Sequence, residues 1–453
     1  AGYTLQGSGS GDGFDVSSRY NVTIQNINVK NFDSGVHLVF SHHNSVIGNN
    51  ITNNGYGIYL HYSSNNSVSE SNMTNNGYGV YLYGSPSNVL RNNCMAKNQY
   101  NFGVYGSALS DFVNDVDASN TVDGKPIYYW VDRQNMTVPS DAGYVALVNS
   151  FNITVEGLEI KNNREGILLA NTTNSRITNS RITNNLGGVN LYDSSNFNTV
   201  SGNNITNHWY GIYLHYSANN SVSENNITNN LYSVYIYSST GNTFIGNNIT
   251  NNDYGVVLYN SSNYNIISEN NITNNLYGVY PYSSTDNRFY HNNLRENVQQ
   301  VYSHESTNMW DDGYPSGGNY WSDYAGIDAN DDGIGDTPYV IDGSNRDNYP
   351  LMYPWPDVLP PEIDVLSPLK KTYYSDSVPL TFVINEFTSW IGYSLDSQPN
   401  VTTSGNTTIV GLSEGTHIII VYANDTSGNM GSSEIVYFNV RLKLGSGPWI
   451  KLV

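Results

Sequence analysis

Oxygen-bearing side chains recur at calcium-loop spacing in the stretch DANDDGIGD. Loop positions 1, 3, 5 and 9 are Asp328, Asn330, Asp332 and Asp336, a glycine occupies position 6, and Ile334 would offer its carbonyl at position 7. Position 12 is a tyrosine and not the bidentate glutamate, and no helical pattern flanks the loop. The spacing predicts a structural calcium site, and a solvated acidic turn is the alternative.

Carboxylates at one repeat register are the only catalytic pairing that the sequence offers. Glu70, Glu224 and Glu269 share this register, and the last two would lie two coils apart, on the order of 10 Å. Such a separation suits an inverting glycosidase. An outward repeat position is, however, more often filled by solvated charges. Because no nucleophile elbow, phosphate-binding glycine loop or zinc spacing occurs either, we expect a protein that is not an enzyme.

Histidines are the side chains from which a copper site would be built. His61 and His215 are several repeats apart and cannot share one metal ion. His42 and His43 are adjacent and would point to opposite faces of a strand. The histidine pattern therefore does not favour a copper site.

The elements that position these residues are repeats of about 22 or 23 residues. The unit NNITNNGYGIYLHYSSNNS begins at Asn49, starts again at Ser71 and recurs far downstream. Each copy contains short pieces rich in Val, Ile, Thr and Tyr, separated by Asn, Ser and Gly turns, with no helix-period apolar stripe. This pattern predicts an all-β fold in which each repeat is one coil of a parallel β-helix.

Alternation within each coil predicts outward ladders of aromatic residues. Ile58 and Leu60 would point inward, whereas Tyr59 and His61 would point outward. Stacking in register at about 4.8 Å would align equivalent residues of successive coils. Such ladders could stack on sugar rings or simply stabilise cross-strand pairing. The predicted surface ladder comprises Tyr59, Tyr81, Tyr213, Tyr235 and Tyr280.

Composition limits the partners of the chain. It has 38 acidic and 18 basic residues, a formal charge of -20, and 39 tyrosines. Nucleic acid and anionic membrane surfaces are therefore disfavoured, while cations and neutral glycans are compatible. A single cysteine excludes an intramolecular disulfide, and the absence of an 18-residue apolar run predicts no membrane span.

Asn-x-Ser/Thr sequons suggest an exported glycoprotein. The first residue is alanine and not methionine, which we interpret as a mature, processed start. A repeat rich in Asn, Ser and Thr also produces sequons by chance, and asparagines can satisfy backbone groups at turns without any glycan. The predicted acceptors are Asn21, Asn50, Asn65, Asn72, Asn135, Asn152, Asn171, Asn204, Asn219, Asn226, Asn248, Asn260, Asn271, Asn400, Asn406 and Asn424.

Breaks in the repeat predict the domain organisation. Residues 1–303 should form the β-helix, with an insertion at 107–150 packed on it, and an Asp-, Gly- and Trp-rich cap with the calcium loop should follow at 304–356. Prolines then precede a period-free segment, 357–441, whose strand spacing predicts an immunoglobulin-like β-sandwich. Residues 442–453 form an apolar, strand-like tail.

The two ends of the chain suggest association with other copies. The first residues resemble part of a coil whose preceding strand is missing, which would leave unpaired backbone groups near Ala1. In the tail, Trp449, Ile450, Leu452 and Val453 could pair with this open coil in the next molecule. Such a heterologous contact would propagate a filament.

The repeat unit, the insertion NTVDGKPIYYWVDRQNMTVPSDAGYVALVNSFNITVEGLEI and the segment GGNYWSDYAGIDANDDGIGDTPYVI together resemble the NosD-type family of right-handed parallel β-helices, as found in archaeal surface proteins. The resemblance covers residues 1–356. It implies right-handed coiling, export and a β-helix of the carbohydrate-binding or sugar-hydrolase type. The family takes its name from a periplasmic copper-related member, but no copper motif matches here. The second domain resembles the immunoglobulin-like modules appended to such surface proteins.

These observations favour a non-catalytic structural protein of the extracellular cell surface. We expect it to assemble with itself into a filament, sheath or surface layer and to be capable of binding glycans. The alternative is a carbohydrate-active enzyme or glycan-binding module that acts on a polysaccharide.

Overall fold

The computed structural model describes residues 2–356, 360–385, 388–425 and 428–442. The chain divides into two compact units, one formed by residues 1–324 and 339–348 and the other by 325–338 and 349–453. Regular structure in the described residues is almost entirely β, and one 3-10 turn spans Leu109–Phe112.

The first unit is a parallel β-helix built from two stacks of coils. The first stack, residues 4–122, has three parallel sheets. One contains Thr4–Gln6, Asn28–Lys30, Asn50–Thr52, Asn72–Thr74, Cys94–Ala96 and Thr121–Val122. The second contains Asp12–Ser17, Ser34–Val39, Tyr56–His61, Tyr78–Tyr83 and Tyr100–Tyr105; the third contains Thr23–Gln25, Ser45–Ile47, Ser67–Ser69, Val89–Arg91 and Asp115–Val116.

The second stack, residues 125–321, repeats this three-sheet plan. Its long strands are Lys125–Val131, Tyr144–Val148, Glu165–Ala170, Gly187–Tyr192, Tyr210–His215, Tyr232–Tyr237, Tyr254–Tyr259, Tyr277–Tyr282 and Gln299–Val301. The next sheet contains Gln134–Thr137, Phe151–Glu156, Arg176–Thr178, Thr199–Ser201, Ser221–Ser223, Thr243–Ile245, Ile266–Ser268 and Arg288–Tyr290. The last contains Glu159–Lys161, Arg181–Thr183, Asn204–Thr206, Asn226–Thr228, Asn248–Thr250, Asn271–Thr273, Asn293–Arg295 and Tyr320–Trp321.

Each coil buries its aliphatic positions and turns on asparagine pairs. Ile58 and Leu60 are fully buried, as the alternation predicts. At one turn Asn53 adopts a left-handed conformation with φ 57°, which asparagine tolerates better than most residues. Asn54 is buried, and its N–H donates to Oδ1 of Asn76 one coil later at 2.9 Å. Ladders of this kind satisfy the backbone at the turns and explain the Asn-Asn pairs of the repeat.

The two stacks meet within one continuous sheet, which belongs to the core of the first stack on one side of the junction and to the core of the second on the other. Strand Thr121–Val122 pairs antiparallel with Lys125–Val131, so the short-strand sheet of the first stack continues into the long-strand sheet of the second, giving fifteen strands in all. In Tyr144–Val148, Tyr144 packs into the first core and Val145 into the second. Both faces of the long-strand sheet are therefore buried at this junction.

The C-terminal end of the β-helix is capped by aromatic residues and by the last members of the polar ladders. Trp310 and Trp321 are almost fully buried over the core. Trp310 Nε1 donates to Oδ1 of Asn345 at 3.1 Å, and Trp321 Nε1 donates to Oδ2 of Asp347 at 2.8 Å. Asn345 and Asp347 belong to the segment 339–348, whose strands are Tyr339–Val340 and Arg346–Asp347.

The second unit contains two sheets that share one core. Ile363–Ser367, Val378–Ile384 and Thr407–Ile409 form the smaller sheet, and Thr372–Tyr373, Val436–Val440, Gly415–Asp425, Thr388–Leu395, Val401–Thr403 and Met430–Ser432 form the larger. Leu380 of the smaller sheet and Val421 and Phe438 of the larger belong to the same buried cluster. The predicted all-β fold, a parallel β-helix followed by a small β-sandwich, is confirmed. The immunoglobulin-like assignment and the predicted domain boundaries stay predictions.

Candidate functional site

Aromatic residues line the outer face of the long strands in the first stack. Tyr56 lies parallel to Tyr78 with 4.9 Å between ring centroids, and Tyr78 is 5.1 Å from Tyr100. In the adjacent row, Tyr59 is 5.3 Å from Tyr81. The coil spacing therefore sets the repeat of each row at about 5 Å.

Three further rows follow the second stack. Tyr210, Tyr232, Tyr254 and Tyr277 form the first, with successive centroids 5.3, 4.8 and 5.1 Å apart. The second row places Tyr213, Tyr235 and Tyr280 in register, with a valine between the last two. The third row consists of His215, Tyr237, Tyr259, Tyr282 and His304.

The rows of the two stacks converge at the junction. Tyr105 of the first stack is 6.2 Å from Tyr192 of the second, and Tyr192 is 5.5 Å from Tyr213. The guanidinium carbon of Arg164 lies 5.2 Å from the ring centroid of Tyr81 and 4.6 Å from that of Tyr105. Outward side chains of both stacks therefore contact one another here, and Tyr81 and Tyr192 are buried by these contacts. We call this surface, formed by Tyr59, Tyr78, Tyr81, Tyr105, Tyr192, Tyr213 and Arg164, the aromatic corner.

A buried ion pair holds the aromatic corner together. Arg164 Nη1 contacts Oε1 of Glu165, whose side chain has no exposed surface. Glu165 Oε2 accepts the N–H of Val104, at the edge of the first stack, at 3.3 Å. The N–H of Arg164 donates to the carbonyl of Phe102 at 2.9 Å. Burial raises the pKa of Glu165, and the adjacent Arg164 opposes that rise.

Burial shifts the pKa values of titratable side chains in and beside the aromatic corner. Burial raises the pKa of Tyr59 to about 12 and that of Tyr78 to about 12, so both phenols stay protonated at neutral pH. Burial raises the pKa of Asp193, in the second stack, and the negative charge of the neighbouring Asp111 raises it further. Burial also lowers the pKa of His215, whose Nδ1 lies 4.0 Å from Asp193 Oδ1.

The aromatic corner combines apolar rings, hydroxyl groups and one buried ion pair. Tyrosine offers an apolar ring and a hydroxyl that donates and accepts hydrogen bonds, which is the pairing of properties that a sugar presents. The carboxylate inside the corner, Glu165, is engaged by Arg164 and by Val104 and has no exposed surface. The other carboxylates considered for catalysis, Glu224 and Glu269, are exposed at left-handed turn positions.

The predicted surface ladder is aligned in the structure, with one difference in exposure. Strand registers pair Tyr59 with Tyr81 and Tyr213 with Tyr235. Tyr81 is only 8% exposed, because Arg164 and the second stack cover it. The sequence repeat could not indicate this cover.

The predicted calcium loop lies in the second unit. Asp328 Oδ2 accepts the N–H of Gly333 at 2.8 Å, and Asp336 Oδ2 accepts that of Ala329 at 2.8 Å. Asn330 Nδ2 donates to Asp332 Oδ2 at 2.9 Å. The N–H of Ile334 donates to Asp332 Oδ1 at 2.9 Å. The carboxylates thus bond within the loop, and calcium binding stays a prediction.

The sequon asparagines are all exposed or half-buried. In the second stack some of them form a ladder, in which Nδ2 of Asn226 donates to Oδ1 of Asn204 at 3.4 Å and Nδ2 of Asn248 donates to Oδ1 of Asn226 at 2.8 Å. Nδ2 is the atom that would carry a glycan, so glycosylation would compete with this ladder. Occupancy of the sequons stays a prediction.

The predicted assembly residues fall outside the described part of the chain. They are Ala1, Trp449, Ile450, Leu452 and Val453. The predicted filament contact therefore stays a prediction.

The β-helix architecture is matched by a family sequence model described as "Periplasmic copper-binding protein (NosD)", which covers residues 4–124 and 114–326. The match extends over more than half of the chain. The protein belongs to the NosD family. Within the described ranges of this NosD protein, no group of three or more His, Cys, Asp or Glu side chains could hold a metal ion. His42 Nδ1 lies 2.8 Å from Ser64 Oγ, and a histidine without further ligands beside it does not make a copper site.

The solved structures that are similar to this NosD protein share little sequence identity with it. The A-module of the Azotobacter vinelandii mannuronan C-5 epimerase AlgE6 is 12% identical, with 68% of this chain and 87% of that chain covered and a TM-score of 0.29. A tailspike protein mutant of the E. coli bacteriophage HK620, in complex with a pentasaccharide, is 13% identical, with 97% and 84% covered and a TM-score of 0.31. Likenesses of this strength carry no functional argument. No curated protein matches the chain.

None of the helices in the described residues is long and apolar enough to cross a membrane.

The sequence reasoning missed Arg164 and Glu165. A signal was present, because strand register places Glu165 beside Gly187 and Gly187 beside Tyr210, the first member of a tyrosine row. A carboxylate at a position that later coils fill with tyrosine indicates a local environment unlike that of the other coils.

Proposed function

We propose that this NosD protein is a non-catalytic glycan-binding protein that acts outside the cytoplasm and holds a polysaccharide against the aromatic corner. The observation that carries the proposal is the convergence of two tyrosine-lined faces, through Tyr105 and Tyr192, at the buried Arg164–Glu165 pair. Rigid aromatic surfaces with hydroxyl groups suit ligands that present both apolar faces and hydroxyl groups, as sugars do. Location outside the cytoplasm is supported by the description of the family as periplasmic.

Regular spacing supports a polymeric ligand and not a single sugar. The rows present equivalent hydroxyls about every 5 Å along each stack. A polymer with a comparable repeat could contact several coils in the same way. Once one contact forms, the next sugar is held at a high effective concentration, so the affinity for the polymer would exceed that for a single sugar. Rigidity of the stacked strands means that little ordering entropy is lost on binding.

The absence of catalysis is part of the proposal. Its support is the state of Glu165, which is fully buried, ion-paired with Arg164 and bonded to Val104 N–H, so it is poorly placed to exchange a proton with a bound sugar. Self-assembly into a surface layer is a separate prediction, since its contact residues lie outside the described ranges.

Binding to soluble polysaccharides tests the proposal. We expect wild-type protein to be retarded in affinity electrophoresis by at least one neutral or acidic polysaccharide. Tyr59→Ala and Tyr213→Ala should each weaken binding about tenfold, because each removes an aromatic contact. Tyr437→Ala, at a 49% exposed position of the second unit, is the matched control. Product analysis of the same mixtures must show no cleavage, and cleavage or equal binding by all variants would contradict the proposal.

A further inference from the structure

Lysine is scarce in the β-helix, and its lysines are concentrated in one place. Only four lysines precede residue 357 in a chain with a formal charge of -20. Three of them, Lys97, Lys125 and Lys161, line a single cleft of about 390 Å³. We call this the basic cleft. The fourth, Lys30, lies in an early coil of the first stack.

The junction between the stacks creates the basic cleft. Lys97 is on the turn after strand Cys94–Ala96, the last complete coil of the first stack, and Lys125 begins the first long strand of the second. Lys161 ends strand Glu159–Lys161 of the next coil. The antiparallel pairing that changes the sheet face therefore brings together lysines from three different coils.

The carboxylates in the basic cleft do not neutralise all of this charge. In the described residues neither Lys97 nor Lys125 forms an ion pair, and Lys125 Nζ donates to the carbonyl of Glu159 at 3.2 Å. Glu159 Oε1 lies 3.8 Å from both Lys161 Nζ and Arg181 Nη1, and all three side chains are about half exposed. Exposed pairs at this distance are weak.

The remaining carboxylate is already occupied by hydrogen bonds. Asp123 Oδ1 accepts the N–H of Lys97 at 2.9 Å, and Asp123 Oδ2 accepts a hydrogen bond from Asn162 Nδ2 at 3.0 Å. Counting Arg181, four cationic side chains face two carboxylates around the cleft. The local excess of positive charge is the opposite of the charge of the whole chain.

The basic cleft is continuous with a tyrosine row of the first stack. A neighbouring groove of about 420 Å³ shares Lys97 and Asn162 with it and is also lined by Tyr100. Tyr100 is the last member of the row that contains Tyr78. A chain lying along that row would therefore arrive at the lysines.

We propose that the basic cleft binds an anionic group, a carboxylate or a sulfate, of an acidic polysaccharide whose neighbouring sugars lie along the row that ends at Tyr100. This inference rests on the proposed function and narrows its ligand class. The cleft attracts an anion that the overall charge of -20 would otherwise repel. Lysine ammonium groups on flexible stems suit a carboxylate or sulfate without fixed geometry.

The test compares lysine variants on three polymers, namely polygalacturonate, dextran sulfate and uncharged dextran. We expect Lys97→Gln combined with Lys125→Gln to weaken binding of an anionic polymer about tenfold or more at low salt, since charge-assisted hydrogen bonds are lost. Lys30→Gln, outside the cleft, should bind as wild type. Lys97→Arg combined with Lys125→Arg should retain binding, and added salt should weaken wild type more than the Gln variant.

The outcomes separate the two proposals. Binding of uncharged dextran alone would preserve the proposed function and overturn the anionic ligand. Failure of wild type to bind any polymer would overturn both. Polygalacturonate and dextran sulfate identify which anion is preferred, and single-stranded DNA bound as tightly as either would overturn the assignment to a glycan. Equal loss of binding in the Lys30→Gln control would show that the cleft has no special role.

Discussion

The guanidinium carbon of Arg164, in the second stack, lies 4.6 Å from the ring centroid of Tyr105, in the first. A cation placed over a tyrosine ring is attracted by its π electrons, and the attraction strengthens away from water. This contact joins two stacks that the sheet connects only through one antiparallel pairing. The geometry of the aromatic corner therefore depends on a few junction residues.

Glu165→Gln should destabilise the β-helix by about 3–5 kcal/mol, because it leaves Arg164 buried without its counter-charge. Urea unfolding followed by tryptophan fluorescence would measure the change. The matched control is Arg181→Gln, which removes an exposed 3.8 Å pair and should cost no more than about 1 kcal/mol. Equal effects of the two variants would show that the buried pair has no special role.

Gly103→Ala should destabilise the junction by about 1–3 kcal/mol through overpacking. A Cβ added to Gly103 would overlap the Arg164 side chain and lie 2.9 Å from its Cδ. Glycan binding should weaken in parallel, because Arg164 would be displaced. Gly343→Ala is the control, since an added Cβ there meets no atom within 4 Å. Thermal unfolding of both variants checks the prediction, which fails if they are equally stable.

His208→Asn should reduce the acid sensitivity of the β-helix. The N–H of Asn185 donates to His208 Nδ1 at 3.1 Å, and Nε2 lies 3.0 Å from the carbonyl of Ile182, so the buried ring is held neutral. Burial lowers the pKa of His208 to about 4. The unfolded chain therefore binds the extra proton first, and stability is present above pH 6.5 and lost as the pH falls towards 4.

The expected loss at pH 4 is about 3 kcal/mol in wild type. An asparagine at this position would join the ladder with Asn230, whose Oδ1 accepts the N–H of His208 at 2.9 Å. Urea midpoints measured from pH 7 to pH 4 would reveal the difference. His43→Asn, at an exposed turn, is the control and should follow wild type. A parallel pH dependence of wild type and His208→Asn would refute the prediction.

Tyrosines of the aromatic corner should resist alkaline titration. Burial raises the pKa of Tyr59 to about 12, whereas tyrosine in the unfolded chain titrates near 10. The stability contribution is therefore complete below pH 10 and is lost as the pH rises towards 12. Ultraviolet titration of tyrosinate should show fewer late-titrating groups in Tyr59→Phe than in wild type. A late phase of the same size in Tyr59→Phe and in wild type would contradict the prediction.

Calcium, if it binds at Asp328 to Asp336, should stabilise the second unit. Free calcium at a hundredfold excess over its dissociation constant would add about 2.7 kcal/mol. Asp328→Asn should abolish the rise in unfolding temperature that calcium causes, because this residue would supply an anionic ligand. Asp364→Asn, on an exposed strand position, is the control. The absence of any calcium-dependent rise in wild type would identify the loop as a solvated turn.

Much of the β-helix could be predicted because each coil repeats the sequence pattern of the coil before it. Ile51 pairs with Val29 and with Met73 at the same register, so one strand assignment extends to its neighbours. The junction has no such redundancy. Glu165 reaches Val104 across 61 residues, and no local pattern specifies a contact of that separation. The aromatic ladders were thus predictable, whereas the corner in which they meet was not.

Coils distant from the junction are equivalent to one another, whereas the residues at the junction have no equivalents in other coils. A whole repeat added near Tyr254 would lengthen the second stack by about 4.8 Å and place new tyrosines in the existing rows, while Arg164 and Tyr105 kept their contact. The length of the second stack can therefore change without any change in the structure of the junction. Under the proposed function, a change in coil number would change the length of polymer that the tyrosine rows could contact, while the aromatic corner stayed unchanged.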